Sequence, residues 1–213
     1  MSERNTLIRS MHDLGLAAWF GGTLMGAVGL NGGTAEAKDP QERLRLSSKG
    51  WAKWAPVQAA AIVVHGVGGV ALIVANKSRL ASQPEARTNT IVKGVVTLVA
   101  MGTTAYSAMV GAKMAKHAEE GAAGVTEPSV LASDELTSAQ SQQKILQWAI
   151  PAMTAALIIM GAHQGEQQRP VAGLLGGGKY SKHNNHSNYN KYGKVSDLVT
   201  ALIARKAMKM KRG

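Results

Sequence analysis

Charge is missing from four long windows of this chain, and that pattern constrains the fold more than any other feature. Asp13 and Glu36 bound one stretch, 14–35, that holds no Asp, Glu, Lys or Arg. Lys53 and Lys77 bound a second, 54–76, Lys93 and Lys113 a third, 94–112, and Lys144 and Glu166 a fourth, 145–165. An α-helix rises about 1.5 Å per residue, so about 20 residues cross a hydrocarbon core of about 30 Å. All four windows match that length and are rich in Ala, Val, Leu, Ile, Met and Gly. Helices of a soluble bundle carry a charged outer stripe, which these windows lack. The expected fold is all-α: a polytopic membrane protein with four transmembrane helices in an up-down bundle, near 13–32, 54–75, 92–112 and 145–165. An amphipathic basic helix is expected to follow at the C-terminus.

The mean hydropathy of −0.06 looks soluble only because the charges crowd between the windows. The chain has 213 residues and no cysteine. A disulfide scaffold, a thiolate zinc site, an iron–sulfur cluster and a cysteine nucleophile are therefore excluded. Trp51, Trp54 and Trp148 fall where the second and fourth windows open, which suits an indole at the water–lipid boundary. Residues 1–37 have a basic start and the small pattern Ala35-Glu36-Ala37, as a signal peptide does. The apolar run is too long for one, and an uncleaved first helix is expected.

Orientation follows from Lys and Arg. With the N-terminus inside, the cytoplasmic pieces 1–12, 76–93 and 166–213 hold 16 of them and the outer loops hold 8. The positive-inside rule then places both termini in the cytoplasm, in a bacterial-type plasma (inner) membrane. The expected organisation is a transmembrane domain over 1–168, a flexible polar linker over 169–194 and a tail helix over 195–213. In the tail, Val195, Leu198, Val199, Leu202 and Ile203 recur at helical spacing. Arg205, Lys206, Lys209, Lys211 and Arg212 follow them. Such a helix is drawn to anionic headgroups, and its apolar stripe disfavours a nucleic-acid role. The first loop, 36–53, is expected to carry a separate short helix on the membrane surface. Ser133 with Leu136 and Ile145 is expected to start a helix leading into the fourth span.

Helices in lipid associate through close packing, which small residues permit. Gly22 and Gly26 on the first helix and Gly161 and Gly165 on the fourth are the candidate packing positions. Pro56 is expected in the first turn of the second helix, where its missing N–H costs little.

Three histidines touch the membrane zone. His65 is mid-span, and an ionisable group there is a functional candidate. His12 and His163 belong to the cytoplasmic boundary, at similar depth. A haem b held by two imidazoles would use that pair. Counted from the inner end of its helix, His65 lies roughly 15 Å deeper and is expected to pair with neither. Its expected partners are Gln58 or Thr104. Soft thioethers suit Cu(I), which makes Met25, Met101 and Met109 candidate copper ligands. No Ser/His/Asp grouping, phosphate loop or intramembrane carboxylate pair points to catalysis. The expectation is a non-enzymatic accessory or scaffold protein without a cofactor, packing against other membrane proteins or itself. The alternative is a protein binding haem or copper through His12, His163 or His65.

The stretch from Met11 to Ala27 resembles the first helix of small four-helix membrane proteins related to the copper-resistance D family. His12, Trp19, Gly21 and Gly22 carry the resemblance. It implies a polytopic bundle, with copper handling in some members. The chain departs from that pattern at Asn31-Gly32-Gly33, where such proteins often have Pro, and in its basic tail.

Overall fold

The helices outrun the charge-free windows, because charge does not stop a helix. In a computed structural model, which describes residues 5–176 and side chains over 5–163, α1 spans Thr6–Ala35. The next helices are α2 (Pro40–Ala75), the short α3 (Lys77–Ser82), α4 (Pro84–Lys116) and α5 (Asp134–Gly176). Four of these, α1, α2, α4 and α5, are long and apolar enough to cross a membrane. The fourfold expectation holds at that level, but the ends differ. α1 begins at Thr6 rather than near 13, and α2 at Pro40 rather than near 54. α4 begins at Pro84 rather than near 92, and α5 at Asp134 rather than near 145. A window free of charge measures the lipid; hydrogen bonding, caps and prolines set where a helix stops.

The largest correction concerns the first loop. Residues expected as a separate surface helix are the first turns of α2. Asp39 caps them by accepting from the Gln41 N–H at 2.9 Å, and Pro40 follows at the first helical position. With 36 residues, α2 is about 54 Å long, well beyond an apolar core of about 30 Å. Pro56 accordingly lies inside the helix, not in its first turn.

Hydrogen bonds join the helices. Trp19 of α1 donates to Thr104 of α4, and Asn31 of α1 donates to Gln147 of α5. Tyr106 and Ser107 of α4 meet Gln142 and Gln143 of α5. Gly22 lies against Trp54 and Gly26 against Trp51, so α1 and α2 run antiparallel; Tyr106 meets Gln142 while His117, just past α4, meets Glu135, so α4 and α5 do too. Within the spans the core is Leu16, Trp19, Ala100, Ile150 and Leu157. Between 11% and 33% of each apolar window is buried, so most apolar side chains face outward. That is the reverse of a soluble bundle.

Beyond the spans, at the end away from Thr6, a second core forms from Leu44, Val110, Met114, Ala118, Ala122, Val125, Leu136 and Ala139. Its connection is ordered. A 3₁₀ turn over Ala118–Glu120 leads to two short antiparallel strands, β1 (Ala122–Gly124) and β2 (Glu127–Pro128). Gly121 between them has φ +70° and ψ 166°, a backbone region almost reserved for glycine. Arg43 of α2 donates to the Ala37, Ala122 and Ala123 carbonyls at 2.7–3.1 Å. Ser133 accepts from the Leu136 N–H and caps α5, as the sequence indicated.

Residues up to Gln167 form one compact unit. Of the second unit only the helical backbone to Gly176 is described, so the first residues of the expected linker are helical. The tail helix, with Arg205, Lys206, Lys209, Lys211 and Arg212, lies outside the described residues.

Candidate functional site

Two helix turns with the same short pattern face each other across the α1–α2 contact. α1 carries His12 and Gly15, α2 carries His65 and Gly68, and each glycine lies three residues after its histidine. A Cβ on Gly15 would stand 2.6 Å from the Ala61 carbonyl oxygen and 2.6 Å from the His65 nitrogen. A Cβ on Gly68 would stand 2.6 Å from the His12 nitrogen. Only glycine permits that approach, so the backbones touch at both sites. The histidines occupy the space between. His12 Nδ1 lies 3.0 Å from the His65 carbonyl oxygen, and His65 Nδ1 lies 2.9 Å from the His12 carbonyl oxygen. A carbonyl only accepts, so both rings carry their proton on Nδ1. The rings stack with centroids 4.0 Å apart and planes 20° apart. Trp19 meets His65 edge-on at 6.2 Å, and His65 is 2% exposed.

This arrangement corrects the depth argument. His65 was expected to pair with neither boundary histidine, yet it pairs with His12. The count placed the start of α1 at 13, so His12 fell at the boundary; with α1 starting at Thr6, His12 lies well inside the helix. The expected partners of His65 are engaged elsewhere. Gln58 accepts from the Trp54 indole at 2.7 Å and Thr104 from the Trp19 indole at 3.2 Å. The matched His-x-x-Gly spacing on two antiparallel helices was the available signal.

The pair is shaped for helix packing and does not suit one shared metal ion. With Nδ1 protonated, each neutral ring keeps its lone pair on Nε2, in the ring plane. Planes only 20° apart on rings 4.0 Å apart meet far beyond a metal–nitrogen bond of about 2.0–2.1 Å. A porphyrin does not fit between stacked rings. His163 is exposed on α5, while the ring stack belongs to His12 and His65. Met25, Met101 and Met109 are exposed on the surfaces of α1 and α4.

The expected packing glycines divide in the same way. Gly22 lies against the Trp54 ring and Gly26 against the Trp51 ring, inside the α1–α2 contact. Gly161 faces Lys93, whose Nζ would be 3.7 Å from an added Cβ. Gly165 lies beyond the residues whose side chains are described. Trp51 and Trp54 are thus half-buried in the bundle, whereas Trp148 is half-exposed, as a boundary anchor would be. His12, Trp19 and Gly22, which carry the family resemblance, all belong to internal packing; Gly21 faces open space.

A second polar node ties three helices together. A π-helical turn over Gly26–Leu30 shifts the phase of α1 and is followed at once by Asn31. Asn31 is 6% exposed. It donates to Gln147 at 3.0 Å and accepts from the Ser47 hydroxyl and the Trp51 indole, both at 2.9 Å. A third node lies in the ordered loop. Glu120 accepts from the Ser133 N–H at 2.7 Å, the Ser133 hydroxyl at 3.0 Å and the His117 ring at 2.6 Å. These bonds hold its carboxyl below the ordinary carboxylate range, the Ser133 N–H contributing most. Neither node has a sequence motif; of their residues, Ser133 is marked only as a helix start. Asn31 was noted only as a departure from the family pattern.

No family model, curated relative or solved structure matches the chain.

Proposed function

We propose that this chain is an integral membrane accessory or scaffold protein that packs with partner membrane proteins or with a second copy of itself. The reading places it in a bacterial-type inner membrane with both termini cytoplasmic and the basic tail on the anionic membrane face. The observation that carries it is the contrast between occupied and open glycines. Gly15, Gly22, Gly26 and Gly68 are filled by helix packing within the chain. Gly21 and Gly32 on α1, and Gly94 and Gly102 on α4, have nothing within 4 Å of an added Cβ. All four are exposed, on helices whose apolar windows are mostly uncovered. A glycine inside a helix costs about 1 kcal/mol relative to alanine. In lipid, close approach of another helix is what offsets that cost.

The test is recovery of the full chain in mild detergent, with mass measured under native conditions. The expected result is a homo-oligomer or a stoichiometric membrane partner. Gly21→Leu and Gly102→Leu should dissociate it while helical content stays unchanged. A strictly monomeric chain with no partner overturns the reading.

A further inference from the structure

An open groove of ≈500 Å³ lies between α4 and α5, just where the apolar spans meet the ordered loop. Its lining changes character along its length. Tyr106 and Met109 form the end toward the spans, and both are exposed. Lys113, Asp134, Glu135 and Ser138 form the other end. The Tyr106 hydroxyl is bonded to Gln142, which fixes the ring across the boundary. Trp148 is half-exposed deeper on α5 and marks the same boundary zone. On the membrane-spanning reading, the polar end lies at headgroup depth and the apolar end opens toward acyl chains.

We propose that this groove binds a single phospholipid whose headgroup ends in a primary ammonium, an ethanolamine lipid. The proposal rests on the reading of the chain as membrane-spanning. Charge complementarity selects the ligand. One cation, Lys113, faces the lipid phosphate. Two carboxylates, Asp134 and Glu135, face the ammonium, whose three N–H groups they can accept. Glu135 is held at the rim by the His117 ring, 3.2 Å away, and its side chain remains 71% exposed. A choline headgroup has no N–H to donate. A glycerol headgroup keeps the phosphate for Lys113 but brings no cation to the two carboxylates. The apolar end takes the upper part of one acyl chain between Tyr106 and Met109.

The test titrates the detergent-purified full chain separately with dioleoyl phosphatidylethanolamine, phosphatidylcholine and phosphatidylglycerol, and counts bound lipids by native mass spectrometry. The expected result is one ethanolamine lipid retained, with occupancy about tenfold above the other two, as one charge-assisted hydrogen bond provides. The double substitution Asp134→Asn, Glu135→Gln should abolish the preference. Ser138→Trp, which fills the groove without changing charge, should reduce retention of that lipid to the level of the others. Circular dichroism verifies the fold of each variant. Equal occupancy of the three lipids, or a preference that survives both variants, overturns the proposal alone. A chain that stays in the aqueous phase without detergent overturns the membrane reading and the proposal together.

Discussion

His12 and His65 hold each other's backbone: each ring donates from Nδ1 to the other residue's carbonyl oxygen, at 3.0 and 2.9 Å, while the rings stack at 4.0 Å. Neither bond forms without the other helix in register, so the two side chains act as one unit. A double-mutant cycle with His12→Ala and His65→Ala should give a coupling energy of about 0.5–1.5 kcal/mol, the range for hydrogen bonds between membrane helices. Reversible unfolding in mixed micelles measures it. Additive single losses would show that the two rings do not cooperate.

The neighbouring glycines make a sharper prediction. Gly15→Ala and Gly68→Ala each place a methyl 2.6 Å from backbone atoms of the facing helix. Backbone cannot turn aside as a flexible side chain can. Each substitution should destabilise the bundle by about 1–3 kcal/mol through overpacking. Gly66→Ala adds the same methyl in open space. It should be neutral or stabilise by up to about 1 kcal/mol through helix propensity. Equal thermal shifts for Gly68→Ala and Gly66→Ala would contradict the close crossing.

Asn31 joins three helices through one side chain, so its loss leaves three polar groups without their partner. Asn31→Leu removes the acceptor of the Ser47 hydroxyl and the Trp51 indole and the donor to Gln147. Orphaned buried polar groups cost about 1–3 kcal/mol each, so a loss of about 2–4 kcal/mol is expected in unfolding measurements. Asn31→Asp keeps both accepted bonds, and it loses the Gln147 bond while adding a buried charge. It should not restore stability, whereas Trp51→Phe, which removes one accepted bond, should cost less than Asn31→Leu.

The four long apolar helices were legible because each carries a charge-free window of the length that lipid thickness requires. The helix ends were not, because Arg43, Arg45, Lys49 and Lys53 extend α2 as readily as Val63 and Val67 do. That same error hid the histidine pair. A first helix starting near 13 puts His12 at the boundary, whereas α1 begins at Thr6. Spacing singles out Gly22 and Gly26, and the groups beside them are indole rings rather than a facing backbone. The tightest backbone contact uses Gly15 and Gly68, which no single-helix motif reveals, since the pattern exists only between two helices. Asn31 was not legible because a π-helical turn sets its phase, and periodicity assumes an unbroken α-helix.

Acid should loosen the ordered loop through Glu120. The Ser133 N–H, then the His117 ring and the Ser133 hydroxyl, favour its carboxylate and lower its folded pKa from the ordinary 4.5. The folded chain therefore binds its proton less readily than the unfolded chain does. The stability from this group is fully present above 4.5 and is lost as pH falls through the lowered folded value. Thermal unfolding of the detergent-solubilised chain between about pH 6 and pH 3 should show a larger loss in wild type than in Glu120→Gln, which has no carboxylate to protonate. Ser133→Ala keeps the N–H donor that contributes most, so its acid sensitivity should stay nearer to wild type. Parallel acid curves for wild type and Glu120→Gln would show that this carboxylate does not couple loop order to pH.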